Sequence, residues 1–331
     1  MQTLIRLLLI GLSLLILAIS WLYLHIHSSV TLPIKPYEFS IHPGSNLKQV
    51  AQQLSDAGLF PTPWSFIILA RYRDQESAIK AGDYKLTKDI TQIALLDYLT
   101  QGDPKQTEIQ FIEGWTFAQL KKALGEHPAI QNRTGNLSEQ EILQSIGATE
   151  IIAEGLFFPD TYYFFKGSSD LEILQRAYQT MQNHLQSQWE SRTTSLPLDT
   201  PYEALILASI IEKETGVEQD RAQIAGVFVN RLRQGMRLQT DPTVIYGMRD
   251  QFDGNLRKQD LQTDHDYNTY TRHGLPPSPI AMPGLASIRA ALNPAQTDAL
   301  YFVAKGNGES HFSANLNDHN KAVNQYQKKQ K

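Results

Sequence analysis

One stretch of this chain, residues 200–216, decides the fold and reads TPYEALILASIIEKETG. Thr200 stands before a proline and Glu203 follows three residues later, which predicts a capped helix start with proline at the first helical position. Gly216 predicts the end of the helix. The sequence therefore predicts a helix that carries carboxylates into otherwise apolar surroundings.

Two glutamates near the end of this helix lie on different faces. At 100° per residue, Glu214 lies over Leu207, Ile210 and Ile211, whereas Glu212 lies over a less apolar face. A carboxyl group held against apolar side chains loses hydration in its charged form, so its pKa rises and it can donate a proton near neutral pH. We therefore expect Glu214 to be a general acid. The alternative is an ion-paired or solvated glutamate in the last turn of the helix.

The sequence that follows this helix matches a known family. The matching segments are VFVNRL (227–232), GMRLQTDPTVIYG (235–247), YNTY (267–270), GLPPSPI (274–280), YFVA (301–304) and HN (319–320). On these motifs the chain resembles the endolytic murein transglycosylases of the YceG-like (MltG) family over nearly its whole length. The resemblance implies that the second glutamate of the Glu-Lys-Glu triplet, Glu214, is catalytic.

Composition limits the function classes that need to be considered. The 331 residues are 41% hydrophobic and 19% charged with a net charge of -4, which is typical of a globular protein of about two domains. The chain has no extended basic run, so nucleic acid is not an expected partner. Because cysteine is absent and the nine histidines show no paired metal-ligand spacing, neither a metal nor another cofactor is predicted.

An apolar segment near the N-terminus predicts a membrane anchor. Residues 7–24 contain no charged side chain and are mostly Leu and Ile, which is close to the length of a transmembrane helix. Trp21 and Tyr23 at its end favour an uncleaved anchor over a signal peptide. Arg6 on the preceding side weakly favours a cytoplasmic N-terminus, so we expect a single-pass protein of the inner membrane with a periplasmic catalytic domain.

The remainder of the chain predicts an α+β fold with two parts. Residues 1–28 form the expected cytoplasmic tip and anchor, and residues 29–37 form a linker. Residues 38–103 resemble a LysM module, a small βααβ unit that binds glycan, because a period-two strand gives way to helical spacing after Gly44. Residues 108–326 correspond to the YceG-like transglycosylase domain. Residues 109–120 repeat the strand, glycine turn and helix start of residues 39–54, and residues 154–163 can be aligned with the segment around residues 82–84. These similarities favour a duplicated α+β unit, with two unrelated strand-helix pairs as the alternative.

Candidate substrate-binding residues come from segments rich in aromatic, amide and hydroxyl groups, which suit sugar rings and their hydroxyls. The first group is Tyr246, Tyr267, Asn268, Thr269 and Tyr270, and the second is Phe157, Phe158, Asp160, Thr161 and Tyr162. Core packing or turn formation is the alternative for both groups. A third cluster, which either caps the next helix or lines a cleft opposite Glu214, is Gln239, Thr240 and Asp241. We favour the cleft.

The resemblance implies the reaction. A lytic transglycosylase lets the C6 hydroxyl of the substrate attack, which gives a 1,6-anhydro sugar, so one carboxyl group serves as acid and then as base. The expected substrate is the bond between N-acetylmuramic acid and N-acetylglucosamine inside nascent peptidoglycan glycan strands, and cleavage would end strand elongation. A hydrolytic muramidase with Asp160 or Asp241 as second carboxylate and a non-catalytic, membrane-tethered glycan-binding scaffold are the alternatives. Membrane-bound peptidoglycan synthases are expected protein partners.

Overall fold

The computed structural model describes residues 9, 11–13, 16–17, 20–21, 23, 26–27, 29–30, 32, 35–102 and 107–327. The described residues form a mixed α+β protein with small two-stranded sheets, which confirms the predicted α+β class. The chain divides into two compact units, residues 1–108 with 163–168 and residues 109–162 with 169–331.

Half of the predicted anchor, residues 7–24, lies outside the described residues. Within the described part of the chain, no helix combines the length and the apolar character that crossing a bilayer requires.

The first unit contains a βααβ arrangement between residues 37 and 86. Strands β2 and β3 pair antiparallel, with Phe39 opposite Tyr84. Gly44 has a φ of +80°, and α1 begins after Asn46, which forms a capping box with Gln49. The elements of this unit are β1 (Ser29–Val30), β2 (Tyr37–Ile41), α1 (Leu47–Asp56), α2 (Pro63–Tyr72), β3 (Gly82–Leu86), β4 (Ile90–Thr91) and α3 (Gln92–Gln101).

Part of the expected linker is ordered within this unit. Strand β1 pairs antiparallel with β4, so that Ser29 lies opposite Thr91. The Leu32 side chain belongs to the hydrophobic core, and its N–H donates to Asp89 Oδ1 at 3.0 Å. Residues 29–30 and 32, which were predicted to be part of a linker, therefore belong to this folded unit.

The rest of the chain is mainly helical. Strands β5 and β6 form one sheet, and β7 and β8 form an antiparallel hairpin in which Phe302 lies opposite Phe312. The bounds are β5 (Thr107–Gln110), α4 (Phe117–Glu126), α5 (Glu139–Ser145), β6 (Thr161–Phe164), α6 (Asp170–Glu190), α7 (Pro201–Glu214), α8 (Glu218–Arg233), α9 (Asp241–Met248), a 3-10 turn (Arg249–Gln251), α10 (Lys258–Gln262), α11 (Leu285–Leu292), β7 (Tyr301–Ala304), β8 (Ser310–Ser313) and α12 (Leu316–Tyr326). The order β5-α4-α5-β6 repeats that of β2-α1-α2-β3.

Helix α7 is the centre of the second unit. It packs against α6, α8, α9 and α11, and every residue from Ala204 to Ile211 is buried. Thr200 caps its start by accepting from the N–H of Glu203 at 3.2 Å. The helix ends at Glu214 rather than beside the predicted Gly216, because Thr215 adopts extended backbone and its hydroxyl accepts from the N–H of Val217. Its last residue therefore leaves the core where the chain turns.

A glycine contact holds the segment around residue 155 against the 279–281 segment. Gly155 has a φ of +79°, and a Cβ there would lie 2.4 Å from Pro279 Cβ and 3.2 Å from the carbonyl oxygen of Ala281. The next residue, Ile280, donates its N–H to Ser209 Oγ of α7 at 3.0 Å. The 279–281 segment therefore contacts both Gly155 and the central helix α7.

We predict that Gly155→Ala lowers the free energy of unfolding by about 2–4 kcal/mol, since both the backbone and the contact with Pro279 are strained. Gly147→Ala is the matched control, because Gly147 has a similar φ of +75° in the same unit but open space around it. It should lose only about 1–2 kcal/mol. Denaturant unfolding of both variants measures the difference, and equal losses would show that the Pro279 contact is unimportant.

Candidate active site

A cavity of about 560 Å³ opens at the C-terminal end of α7. It combines carboxyl, guanidinium, amide and aromatic groups, which can bind a polar ligand and transfer protons. Its walls come from α7, α8, the 238–241 loop, the β7–β8 hairpin and α12. The lining residues are Glu214, Arg231, Leu238, Gln239, Asp241, Tyr270, Tyr301, Phe302, Val303, Ala304, Ser310, Leu316, His319, Val323 and Gln327.

Glu214 is the carboxyl group at the end of α7 in this cavity. Its side chain is partly buried, and its Oε1 accepts a hydrogen bond from the hydroxyl of Thr240. The pKa of Glu214 is raised to about 7, because burial and the negative charge of Asp241 raise it more than the Thr240 hydroxyl lowers it. At neutral pH a carboxyl group with this pKa is protonated in some molecules and ionised in the others, so it can either donate or accept a proton.

Thr240 is held in place by a second threonine. The N–H of Thr240 donates to Thr269 Oγ1 at 3.1 Å, and the N–H of Gln239 donates to the carbonyl of Thr269 at 3.1 Å. Gln239 has a φ of +52°, which is unusual for a residue with a side chain. Thr240 precedes α9 but uses its side chain on Glu214 instead of capping that helix. Thr269, a predicted substrate-binding residue, is only 2% exposed and stabilises the 238–241 loop from the protein interior.

Asp241 and Tyr270 form the second polar pair of the cavity. The Tyr270 hydroxyl donates to Asp241 Oδ1 at 2.5 Å, and both side chains line the cavity. Burial raises the pKa of Tyr270, and its hydrogen bond to Asp241 adds to this shift. The structure therefore brings together Glu214 and four predicted residues, because Gln239, Asp241 and Tyr270 line the cavity and Thr240 contacts Glu214.

Asn268 is a buried residue that connects the segment at residues 260–263 to Tyr270. It is fully buried, its amide donates to the carbonyls of Asp260, Leu261 and Thr263, and its Oδ1 accepts from the N–H of Tyr270 at 2.8 Å. Every polar group of this side chain is engaged by the protein. Asn268 therefore shapes the segment that carries Tyr270, and the turn alternative describes its contacts.

Tyr246 and Tyr267 pack on each other, and neither lines the cavity. Their ring centroids are 4.9 Å apart, and the Tyr267 hydroxyl is 2.7 Å from Ser278 Oγ. Tyr246 faces Glu154, a second buried carboxyl group, whose Oε1 accepts from the N–H of Phe117 at 3.0 Å. Burial raises the pKa of Glu154 to about 7, so a raised pKa alone does not identify the reacting group.

The second predicted group of binding residues also lies away from the cavity. Phe158 and Tyr162 are buried, and the Tyr162 hydroxyl donates to the carbonyl of Phe158 at 2.8 Å. Asp160 is exposed, and its Oδ1 accepts from the N–H of Thr161 at 2.7 Å. Phe157 is fully buried beside Phe117. These contacts are those of core and turn residues.

Glu212 has a structural environment that differs from that of Glu214. Its Oε2 accepts from the N–H of Gly284 at 3.0 Å and from Ser287 Oγ at 2.7 Å, at the start of α11. A carboxylate in this position satisfies a helix N-terminus and fixes α11 on α7. Two glutamates that are two residues apart therefore have different hydrogen-bond partners and different environments.

Arg231, Tyr301 and His319 line the cavity but were not predicted as site residues. All three stand in the motifs that carry the family resemblance. Arg231 is only 7% exposed, and a charged residue inside an apolar helical stretch was the signal that could have identified it. Tyr301 of the β7–β8 hairpin and His319 of α12 are brought to the cavity only by the tertiary fold.

Two substitutions are predicted to move the pKa of Glu214 in opposite directions. Thr240→Val removes the hydroxyl that stabilises the carboxylate, so the pKa should rise above about 7. Asp241→Asn removes a like charge, so the pKa should fall. Carbon-13 NMR titration of the glutamate carboxyl groups measures both shifts, and the signal absent from Glu214→Gln provides the assignment. Shifts in the same direction, or a wild-type pKa near the ordinary value, would contradict this description of the site.

Comparisons with known proteins agree with the resemblance. The model of the YceG-like family matches residues 39–325. An endolytic murein transglycosylase of Bacillus subtilis (strain 168) is 32% identical over 304 residues, covering 87% of this chain and 84% of the relative. One from Streptococcus pneumoniae serotype 2 (strain D39) is 29% identical over 319 residues, covering 85% of this chain and 56% of the relative, so the chain spans about half of that protein. A crystal structure of a YceG-like protein from Listeria monocytogenes aligns with a TM-score of 0.52 and 28% identity, over 87% of this chain and 98% of that chain. The chain belongs to the YceG-like family.

Proposed function

We propose that this protein is a membrane-anchored endolytic lytic transglycosylase that cleaves peptidoglycan glycan strands. Its enzyme class follows from the family and from the names of its curated relatives. The observation that carries the proposal is that Glu214 has a pKa of about 7 and lines a cavity large enough for sugar units. The polar and aromatic lining supports a polysaccharide as the substrate.

Glu214 performs both proton transfers in the proposed reaction. As an acid it gives its proton to the glycosidic oxygen, and the C1–O bond of N-acetylmuramic acid breaks toward N-acetylglucosamine. As a base it then takes the proton of the C6 hydroxyl while that oxygen bonds to C1, which gives the 1,6-anhydro end. The Thr240 hydroxyl stabilises the carboxylate between the two steps. The proton returns to Glu214, and no water is consumed.

A hydrolytic muramidase is the second candidate function. Asp241 favours it, because this carboxylate lies in the same cavity as Glu214. Asp160 supports it less, because its side chain is exposed in a turn and is not a lining residue. The Tyr270 hydroxyl occupies one oxygen of Asp241, which limits its freedom to activate water. We therefore retain the transglycosylase as the proposal and Asp241 as the residue on which the alternative depends.

Residues 38–103 are proposed to bind glycan as a LysM-like module. The βααβ order supports this, as does a cavity of about 440 Å³ between the turn before α1 and the loop after α2. Its polar lining includes Asn46, Lys48, Arg71 and Ser77. A tethered binding unit raises the local concentration of strand without contributing to the chemistry.

The membrane-bound location is also part of the proposal. Its support is the uncharged apolar run of residues 7–24, the interfacial residues Trp21 and Tyr23, and Arg6 on the preceding side. Such an anchor would hold the enzyme at the periplasmic face of the inner membrane, next to nascent strands. Membrane-bound peptidoglycan synthases would then be neighbours and expected partners.

We predict that Glu214→Gln folds normally but loses about a hundredfold to ten-thousandfold in cleavage rate, because the amide cannot transfer a proton. Glu212→Gln is the control, and its activity should fall far less. Cleavage of purified glycan strands and thermal unfolding measure both variants. Near-normal cleavage by Glu214→Gln would contradict the assignment of Glu214, whereas a lack of cleavage by the wild type would favour the non-catalytic scaffold.

A second prediction tests the binding module. Ser77→Trp fills the 440 Å³ cavity with a bulky side chain and should reduce retention on insoluble peptidoglycan by about tenfold or more. Turnover of short soluble fragments should remain unchanged. Thr87→Trp, an exposed position of the same unit outside the cavity, is the control. Loss of turnover with unchanged retention would mean that the module only braces the catalytic domain.

A further inference from the structure

Arg231 is a buried cation in the wall of the active-site cavity. Its side chain is 7% exposed, and burial lowers the pKa of its guanidinium. Burying a charge is costly unless an opposite charge or suitable hydrogen bonds compensate for it. Arginine keeps its charge at neutral pH even under these conditions. The other contacts of Arg231 therefore decide whether its charge is compensated within the protein.

The hydrogen bonds of Arg231 to described residues all go to uncharged oxygens. Its Nε donates to the carbonyl of Leu300 at 2.7 Å, and its Nη1 donates to the carbonyls of Arg237 and Leu238 and to Gln239 Oε1. These bonds fix the orientation of the planar guanidinium. They use Nε and Nη1 only, so Nη2 has no acceptor within the described part of the chain.

Arg231 Nη2 differs in solvent access from the unpaired polar atoms that are fully buried. Arg221 Nε is fully buried without a partner, whereas Arg231 Nη2 is not among the fully buried unpaired atoms of the described residues. Because Arg231 lines the cavity, the cavity is where its free nitrogen meets solvent. An oriented donor whose positive charge forms no ion pair with a described residue is suited, in a substrate cavity, to an anion.

The neighbours of Arg231 do not supply that anion. Its guanidinium carbon lies 5.0 Å from the ring centroid of Tyr301, and His319 stacks on the same tyrosine, with ring centroids 5.2 Å apart. Burial lowers the pKa of His319, and the charge of Arg231 lowers it further, so this imidazole is neutral near pH 7. Among the described lining residues, Arg231 is the sole permanent cation.

We propose that Arg231 Nη2 binds a carboxylate of the glycan substrate in a subsite completed by Tyr301 and His319. This inference rests on the proposed function and adds to it a means of recognising muramyl units. Two sources in peptidoglycan share the required chemistry. One is the lactyl carboxylate of a muramic acid without peptide, and the other is a carboxylate of the stem peptide.

The test measures binding, so that it does not depend on cleavage. Full-length Glu214→Gln is titrated with three strands of equal length: one with stem peptides, one with free lactyl carboxylates, and one whose lactyl carboxylates are converted to neutral amides. We expect the neutral strand to bind at least about tenfold more weakly than one of the two charged strands. The strand that binds best identifies the source of the carboxylate.

Adding Arg231→Gln to this protein should remove the difference between charged and neutral strands. Adding Arg233→Gln is the control, because Arg233 lies on the same helix and donates to the carbonyl of Ser195 without lining the cavity. A purely structural role of Arg231 would weaken all three strands equally. That result would overturn the proposal, as would equal binding of all strands to Glu214→Gln itself, which remains decisive if Arg231→Gln does not fold. Cleavage by the wild type tests the proposed function separately.

Discussion

The site depends on the position of one carboxyl group at the end of a buried helix. Glu214 is the last residue of α7, and its carboxyl group is surrounded by protein at the edge of a cavity. Burial favours the protonated form, while the Thr240 hydroxyl stabilises the ionised form. The balance between the two gives a pKa of about 7, at which a single group can act as acid and base. Other features of the unit serve to maintain this balance.

The surrounding fold gives similar residues different environments. Glu212 satisfies the start of α11, so this helix is held against the one that carries Glu214. Thr269 fixes the loop from which Thr240 reaches the Glu214 carboxyl group, and buried Asn268 shapes the segment next to it. Burial and hydrogen-bond partners, rather than residue type, therefore distinguish Glu212 from Glu214 and Thr269 from Thr240.

Local sequence signals predicted the frame of the site better than its walls. Proline and cap residues identified the start of α7, and helical periodicity separated Glu214 from Glu212, because both signals depend on neighbours within one turn. The cavity walls depend on residues distant in sequence, such as Arg231 and His319, and no local pattern brings these together. Aromatic residues were ambiguous for a further reason, since Tyr162 packs in the core and Tyr270 lines the cavity with the same chemical groups.

The central claim is that Glu214 transfers protons while the substrate itself supplies the attacking oxygen. Cleavage of glycan strands in water enriched in oxygen-18, followed by mass spectrometry of the new muramyl ends, tests this claim most directly. The account predicts ends that contain no oxygen-18, because the C6 oxygen of the sugar closes the ring. New ends that each carry one oxygen-18 atom would contradict it and would show that water is the nucleophile.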